Sequence, residues 1–397
     1  MLPPTVLVFA AVMTYLGVTP VLDYNFPLYA QLEDNNEAPA FMGVAMRGNN
    51  TSAKEHDESD ALFPNNYYED SFRLIHEAGM NHVRYLFYWE SYAKNPSLFL
   101  KELVTVAETA DRWGIKVLYD NHQWHTSSWL ESKGTGFPSF LFSGNAKYER
   151  DSGGNTNDDA ARLWWTDWWN GSVKDVNGND GWAVEAQFLK TIVRALDDHQ
   201  STLGYEILSE PQIHSDDQWE KVGKFNSYIT DELRKETQKT LAYSQQVPSS
   251  IRAPNISVIP ENQAKMAPTD KSNVIFKISM YGPSSDSFQR ERLDGLITAA
   301  QLAKVPVYVG EWNNVVRERS GGVFQIDPEQ SDLSEGEVSM FLKDFRDIGA
   351  WGWAYWQWNF NPHRVPNFNL ITVSEEGTIE PTRYYEQLKA AIPQQGL

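Results

Sequence analysis

Two glutamates, each set in a short apolar run, are the residues of this chain best suited to chemistry. Glu210 lies in the run GYEILSEP, residues 204–211, and Glu311 lies in VYVGEW, residues 307–312. Cleavage of a glycoside needs one carboxylic acid to protonate the leaving oxygen and one carboxylate to act at the anomeric carbon. A lone glutamate at a strand end is more often a solvated residue or an ion-pair partner. The hypothesis therefore depends on the two glutamates acting together.

The pattern of the chain after Pro39 indicates how the two glutamates are positioned. Short β-branched or aromatic runs alternate with segments of helical period. Strands are predicted at Phe41–Met46, His82–Tyr88, Lys116–Asn121, Leu203–Leu208, Ile256–Pro260, Val274–Tyr281, Pro306–Glu311 and Ala350–Trp358. Helices are predicted at Ser71–Ala78, Leu98–Trp113, Trp182–Asp197, Gln218–Glu236, Gln289–Ala303, Glu335–Ile348 and Thr382–Ile392.

Eight strands alternating with helices predict an α/β fold, the (β/α)8 TIM barrel. In this fold the C-terminal ends of the strands surround one pocket. Glu210 follows the fourth predicted strand and Glu311 ends the seventh, and these two strands face each other across the barrel. The fold therefore predicts that the two glutamates flank a single scissile bond.

A long insertion follows the third predicted strand, at about Gln123 to Gly181, and it is too long for an ordinary loop. It contains the tryptophan-rich run LWWTDWW, residues 163–169. Because it leaves the C-terminal end of a strand, we expect it to lie over the catalytic face. Its tryptophans would form either the wall of a sugar subsite or a small core within the loop.

These motifs resemble glycoside hydrolase clan A, and most closely family 5, the cellulase and mannanase type. The resemblance extends from Phe41 to Ile392. Glu210 followed by Pro211 is similar to the acid/base signature of the family, and Gly310-Glu311-Trp312 is similar to its nucleophile strand. The resemblance implies a retaining β-glycosidase with Glu210 as acid/base and Glu311 as nucleophile. We expect no cofactor and no metal.

Five further residues occupy family positions that contact the substrate or the nucleophile: Arg84, His122, Ser209, Tyr281 and Trp356. The resemblance implies that Arg84 and Tyr281 hydrogen-bond near the nucleophile. It implies that His122 lines the glycone subsite and that Trp356 forms the floor under the sugar. Structural interpretations stay open, namely an ion pair for Arg84 and core packing for His122 and Tyr281. Strand alternation would place Trp356 and Trp358 on one side, where only one can be the platform.

The chain departs from the family pattern at two positions. Ser209 replaces the asparagine that reaches the 2-hydroxyl of the substrate, and Ser279 replaces the histidine of a His-x-Tyr motif. Both changes reduce hydrogen bonding around the reacting sugar. They leave the substrate and the exact family open, but they remove neither glutamate.

The expected charge states follow from the distance that the reaction requires. In retaining enzymes the two carboxyl groups lie roughly 5–5.5 Å apart. Two carboxylates at that distance resist being charged together. We therefore expect Glu210 to be protonated and Glu311 to be ionised in the resting enzyme.

Composition narrows the range of partners. The 397-residue chain has a formal net charge of −19 and no cysteine. The negative charge disfavours nucleic acid and anionic membrane surfaces, and the lack of cysteine excludes disulfides, thiolate metal sites and cysteine nucleophiles. The 15 tryptophans favour a carbohydrate ligand, because flat rings stack on the C–H faces of sugars. The oligomeric state stays open.

Residues 1–38 are predicted to precede a catalytic domain at 39–397. Leu2 to Leu22 is an apolar run broken by prolines, and Tyr24 to Ala38 is typical of a linker. A signal peptide, a membrane anchor or a mis-set start codon would each produce this pattern. Export is favoured, although no Lys or Arg precedes Arg47.

The leading hypothesis is an endo-acting enzyme for a β-1,4-linked polysaccharide such as cellulose, another β-glucan or mannan. One alternative is a metal-dependent hydrolase on the same fold, with Asp120, His122 and His125 as ligands. Another is a catalytically inactive carbohydrate-binding protein, suggested by Ser209 and Ser279. The sequence does not choose the sugar, and it does not separate hydrolysis from transglycosylation.

Overall fold

The computed structural model describes residues 39–56, 63–131, 134–148, 158–246, 258–281, 287–314, 317–320, 323–326, 335–359 and 368–392. The apolar segment and linker expected at 1–38 lie outside these residues. None of the helices within the described ranges has the length and apolar character needed to cross a membrane.

The barrel consists of eight parallel strands, and each strand pairs with the next along the chain until the last pairs with the first. The strands are β1 (Phe41–Arg47), β2 (His82–Phe87), β3 (Lys116–Asn121), β4 (Thr202–Glu206), β5 (Thr240–Ser244), β6 (Val274–Tyr281), β7 (Val307–Asn313) and β8 (Gly352–Tyr355). The predicted (β/α)8 barrel is therefore confirmed. Two short antiparallel hairpins, 317–320 with 323–326 and 371–373 with 379–381, lie outside it.

The helices surround the barrel. They are α1 (Tyr67–Glu77), α2 (Trp89–Lys94), α3 (Pro96–Trp113), α4 (Asp158–Trp169), α5 (Gly181–Leu196), α6 (Trp219–Leu233), α7 (Pro260–Ala264), α8 (Ser287–Ala303), α9 (Glu335–Asp347) and α10 (Arg383–Ala391). Helix α3 shows why the sequence forms them. The side chain of Asn95 accepts the amide of Leu98, Pro96 occupies the first turn, and Gly114 ends the helix with φ 65°.

The sequence-based prediction of the fifth strand was wrong. Strand β5 is Thr240–Ser244, whereas Pro260 begins α7, and residues 256–257 lie outside the described part. The apolar run of β5 is only three residues long and closely follows a helix, so its period is hard to detect. Closure of the barrel buries it on both faces, with Ala242 inside and Leu241 and Tyr243 under the helices.

The interior of the barrel changes from apolar to charged along its axis. An apolar cluster near the N-terminal ends of the strands contains Leu118, Leu203, Ala242, Ile275, Tyr308, Trp351 and Ala354. Asp120 lies two residues beyond Leu118, and Lys277 lies two residues beyond Ile275, so alternation keeps both side chains inside. The charged interior layer therefore adjoins the C-terminal end of the barrel, where the sequence analysis expects the site.

Strand β7 has a β-bulge, at which it holds one residue more than β6 between two successive paired positions. In the pairing with β6, Ile278 is opposite Val309 but Ser279 is opposite Glu311, so Gly310 is an extra residue. The register with β8 shifts at the same place. Strict alternation from the inward Tyr308 would turn Glu311 outward. The bulge returns Glu311 to the interior.

Candidate active site

Glu210 lies four residues beyond β4, in a turn whose backbone is held by the end of β3. Its φ of 47° is in the left-handed region, which residues other than glycine seldom adopt. The Gln123 side-chain amide donates to the carbonyls of Ser209 (3.1 Å) and Glu210 (2.7 Å). The backbone N–H of Ser209 donates to the Asn121 carbonyl at 3.0 Å. These bonds offset the unfavourable backbone conformation and fix the direction of the Glu210 side chain.

Glu311 is buried and accepts hydrogen bonds on both carboxylate oxygens. Arg84 Nη1 donates to Oε1 at 2.9 Å, and Lys277 Nζ donates to the same oxygen at 2.7 Å. The Tyr281 hydroxyl donates to Oε2. The structure thus places Arg84 and Tyr281 against Glu311, where the sequence analysis expected them.

Arg84 is fully buried and connects four strands. Its Nε donates to Glu206 at 2.8 Å, and its Nη2 lies 2.8 Å from Asp120. The same Nη2 donates to Ser209 Oγ at 3.0 Å. A buried guanidinium requires such partners, and its planar fork suits several carboxylates at once. Both interpretations of Arg84 therefore hold, because one side chain makes a structural ion pair and contacts Glu311.

The electrostatic environment shifts the pKa values of the buried carboxyl groups in opposite directions. Burial alone raises the pKa of Glu311, but the charges of Lys277 and Arg84 outweigh it and hold that pKa well below its usual range. Burial raises the pKa of Glu206, and the charge of Arg84 opposes this rise without cancelling it. Glu311 is consequently ionised at neutral pH.

His122 and Trp356 form one wall of the site. His122 Nδ1 lies 2.9 Å from Asp120 Oδ2, and its ring stacks on Trp356 with 5.5 Å between the ring centroids. Trp356 is partly exposed. Trp358 is fully buried and donates its indole N–H to Ser71 Oγ at 2.9 Å. The expectation that both tryptophans share one side was wrong, because β8 ends at Tyr355 and strand alternation does not extend to them.

The sequence analysis missed Lys277. This lysine lies in the middle of β6, its side chain is fully buried, and its Nζ is 2.8 Å from Ser279 Oγ. A lysine inside an otherwise apolar strand is a costly placement, and this was the signal that could have identified it. Glu206 was also overlooked, although it lies within the quoted Glu210 motif.

One measurement limits the distance between the two glutamates. Lys277 Nζ lies 2.7 Å from Glu311 Oε1 and 3.6 Å from Glu210 Oε1. These two oxygens are consequently separated by at most about 6.3 Å. Strands β4 and β7 thus bring the two glutamates to one point, as the barrel topology predicted.

The tryptophans of the insertion form a core. Trp164, Trp165, Trp168 and Trp169 are all buried in α4. The indole N–H of Trp165 donates to Thr126 Oγ1 at 2.8 Å, and that of Trp169 donates to the Gln212 carbonyl at 2.8 Å. The hypothesis of a subsite wall made by this run was therefore wrong. Instead, the helix supports the segment that follows Glu210.

The residues of the metal-site hypothesis separate into different pairs. His122 pairs with Asp120, whereas His125 Nδ1 lies 2.7 Å from Glu131. Within the described ranges, no group of three or more His, Cys, Asp or Glu side chains is placed to hold a metal ion. The arrangement favours acid/base and nucleophilic chemistry by carboxylates.

Comparison with known proteins identifies a family model described as cellulase, glycosyl hydrolase family 5, which matches residues 34–362. Endo-glycoceramidase II from a Rhodococcus species is similar in structure, with a TM-score of 0.60 and 15% identity over 90% of this chain and 80% of that chain. An endogalactoceramidase is similar with a TM-score of 0.65 and 15% identity, over 89% of this chain and 81% of that chain. An endoglucanase from Pseudomonas stutzeri is similar with a TM-score of 0.55 and 14% identity, over 90% of this chain and 95% of that chain. At these identities the structural matches show the fold. No curated protein matches the chain.

Proposed function

The chain belongs to glycosyl hydrolase family 5, and from this membership we propose that it cleaves β-glycosides with retention. Glu311 is the nucleophile and Glu210 is the acid/base. The observation that carries the proposal is the position of Lys277 Nζ, which lies 2.7 Å from Glu311 and 3.6 Å from Glu210. The two oxygens that face Lys277 are therefore at most about 6.3 Å apart, which is compatible with the roughly 5–5.5 Å between the carboxyl groups of retaining enzymes.

The first step forms a covalent intermediate. A carboxylate oxygen of Glu311 attacks the anomeric carbon while the bond to the leaving oxygen breaks. Glu210 gives its proton to that oxygen, so the aglycone leaves as a neutral alcohol and Glu210 becomes a carboxylate. The sugar is then held as an ester of Glu311.

The second step returns the protein to its starting state. Glu210 takes a proton from a water molecule whose oxygen attacks the anomeric carbon from the face that the aglycone left. The ester bond breaks and Glu311 is again a carboxylate. Two inversions give net retention.

The surroundings of Glu311 suit this cycle. Arg84 and Lys277 keep the nucleophile ionised before the attack, and the Tyr281 hydroxyl orients its second oxygen. The partly exposed ring of Trp356, stacked against His122, offers an apolar floor for the sugar.

We propose a β-1,4-linked polysaccharide as the substrate, such as cellulose, another β-glucan or mannan, cut within the chain. Support comes from the cellulase family model and from the similarity to an endoglucanase along 95% of that enzyme. Trp124, 37% exposed and adjacent to the Gln123 that holds Glu210, offers a further ring for stacking.

A glycolipid is the second candidate substrate. It is favoured by the similarity to endo-glycoceramidase II and to an endogalactoceramidase, each covered over about four-fifths of its length. In this case the bond cut would join the sugar to a lipid alcohol, and the same two carboxyl groups would act.

Two assays together test the function. The purified protein is incubated with β-glucan, mannan and xylan, with reducing ends as the readout, and with glycosylceramides in detergent, with released ceramide as the readout. Proton NMR of the first product should show the β-anomer. The Glu311→Ala variant, with its fold checked by circular dichroism, should be inactive.

The outcomes separate the hypotheses. Equal activity of Glu311→Ala and wild type would overturn the assignment of the nucleophile. Loss of activity in chelator would favour the metal-dependent hydrolase. Sugar binding without cleavage of any β-glycoside over a wide pH range would favour the inactive binding protein.

A further inference from the structure

The two serines that depart from the family pattern contact the same buried ammonium group. Lys277 Nζ lies 2.8 Å from Ser279 Oγ and 3.5 Å from Ser209 Oγ. Ser209 follows β4 and Ser279 lies on β6, so the two replacements are far apart in the chain. Their convergence on one side chain shows that the departures form a single local arrangement.

The neighbouring strand leaves room for this lysine. A Cβ atom on Gly310 would lie 2.7 Å from Lys277 Cγ and 2.9 Å from Lys277 Cε. Any larger residue at the β7 bulge would therefore displace the lysine. The glycine thus serves both the inward turn of Glu311 and the path of the Lys277 side chain.

We propose that Lys277 is a positioning residue that links the two catalytic glutamates. It keeps Glu311 as the charged nucleophile and, through Ser279, determines which oxygen of Glu210 carries the transferable proton. The proposal rests on the proposed retaining mechanism.

The hydrogen-bond directions support the link to Glu210. An ammonium group has only donors, so Ser279 Oγ must accept from Lys277. The hydroxyl proton of Ser279 is then directed to Glu210 Oε1, which lies 2.5 Å away. Because Oε1 is occupied as an acceptor, the proton that Glu210 donates is carried by Oε2.

The same ammonium serves as counter-ion in both steps. In the resting state the negative charge is on Glu311, 2.7 Å from Lys277 Nζ. Once the glycosyl ester forms, the charge is on Glu210, 3.6 Å from the same nitrogen. The buried cation consequently keeps a charged partner throughout the cycle without moving, which avoids the cost of an unpaired buried charge.

Other charged and titratable groups face this site and moderate the effect of removing Lys277. They are Arg84 on β2, Asp120 on β3, His122 after β3, Glu206 on β4, Tyr281 on β6 and Arg292 on α8. Arg84 continues to pair with Glu311 when Lys277 is removed, so Glu311 should lose part of its stabilisation.

The kinetic test uses Lys277→Met, which removes the charged end and keeps an unbranched side chain one atom shorter, and Ser279→Ala. The control is Lys224→Met at an exposed position. Lys277→Met should lower kcat on dinitrophenyl and alkyl glycosides alike. It should also shift the acidic limb of the pH profile of kcat/KM to higher pH, by about 1–3 pH units. Ser279→Ala should lower kcat on alkyl glycosides and spare dinitrophenyl glycosides, whose leaving group needs no proton. KM should change little, because Lys277 is buried.

A second measurement does not depend on turnover. The carboxyl carbons of ¹³C-labelled glutamate are titrated by NMR, and the Glu311 signal is identified by its absence in Glu311→Gln. Its titration should move to higher pH by about 1–3 pH units in Lys277→Met and should not move in Lys224→Met.

These readouts distinguish the two proposals. If the NMR titration moves but no glycoside is cleaved, the mechanism proposed for the chain fails and the role of Lys277 towards Glu311 stands. If glycosides are cleaved but Lys277→Met changes neither the titration nor the acidic limb, the role of Lys277 is wrong. Should Lys277→Met not fold, equal loss of activity by Ser279→Ala on both classes of leaving group would contradict the inference.

Discussion

Trp169 donates its indole N–H to the main-chain carbonyl of Gln212 at 2.8 Å, two residues beyond Glu210. This hydrogen bond joins the insertion after β3 to the turn that carries the proposed acid/base. The buried tryptophans of α4 therefore act on the site through the backbone, without lining it. The insertion thus supports the position of Glu210 through the segment that follows it.

The first prediction concerns this support. Trp169→Phe removes the hydrogen bond together with part of a buried ring, and it should lower the free energy of unfolding by more than the roughly 0.5–1.5 kcal/mol of the hydrogen bond alone. It should also lower kcat on substrates with poor leaving groups, because the turn carrying Glu210 is held less firmly. Urea unfolding and steady-state kinetics measure the two effects.

Trp182→Phe provides a matched control for that variant. It loses a comparable bond, from the indole N–H of Trp182 on α5 to the Trp168 carbonyl on α4 at 2.9 Å. Its stability should fall similarly while kcat is unchanged. Equal losses of kcat in both variants would show that the bond to Gln212 has no special role.

The second prediction separates the roles of the two glutamates by rescue with azide. In Glu311→Ala, azide should attack an activated aryl glycoside directly and yield the α-glycosyl azide. In Glu210→Ala the glycosyl ester still forms and azide replaces water, so the product should be the β-glycosyl azide. Without azide, Glu210→Ala should lose about 10²–10⁴-fold in rate. The anomers are read by NMR, and interchanged products would reverse the assignment.

The third prediction concerns Glu185, a fully buried residue of α5. Its Oε1 accepts from Asn121 Nδ2 at 2.9 Å. Burial raises the pKa of Glu185 well above its usual range, against the opposing hydrogen bond from Asn121. A raised folded-state pKa means that the native chain holds a proton that the unfolded chain releases. The contribution of Glu185 to stability therefore declines as the pH rises above the ordinary glutamate value.

Glu185→Gln tests this dependence, because glutamine does not titrate. Relative to wild type, the variant should gain stability as the pH rises above about 4.3, by no more than about 1.4 kcal/mol for each pH unit. Urea unfolding at several pH values gives the difference. A difference that stays constant with pH would mean that Glu185 is ionised in the folded protein.

The fourth prediction concerns the pair of Ser209 and Lys277. Ser209→Asn restores the family residue, but the larger side chain meets the ammonium that lies 3.5 Å from Ser209 Oγ. We expect the single variant to lose activity and stability. In a Lys277→Met background the same substitution should cost much less. A double-mutant cycle measures the coupling, and additive effects would show that the two positions are independent.

The sequence was sufficient for the barrel and for the placement of the two proposed catalytic residues. Strand and helix periods are local, so seven of the eight strands could be located within a few residues. Glu210 and Glu311 could be assigned to opposite strands because the order of strands in a parallel barrel follows the chain. The fifth strand was missed, since three apolar residues carry too little periodic signal.

Other features depended on contacts between residues far apart in the chain. Arg84 and Glu311 are 227 residues apart, and no local pattern shows that Arg84 also pairs with Glu206. The burial of the α4 tryptophans likewise depends on packing against distant segments.

The sequence by itself determined the α/β barrel, the family resemblance and the glutamate pair, because periodicity and short motifs are properties of neighbouring residues. Only the tertiary structure decided that Glu311 points inward, since the bulge at Gly310 is a matter of register between strands. It also brought Lys277 between Glu210 and Glu311. A buried charge is stable only where folding supplies its partners, so its role could not be seen before those partners were placed.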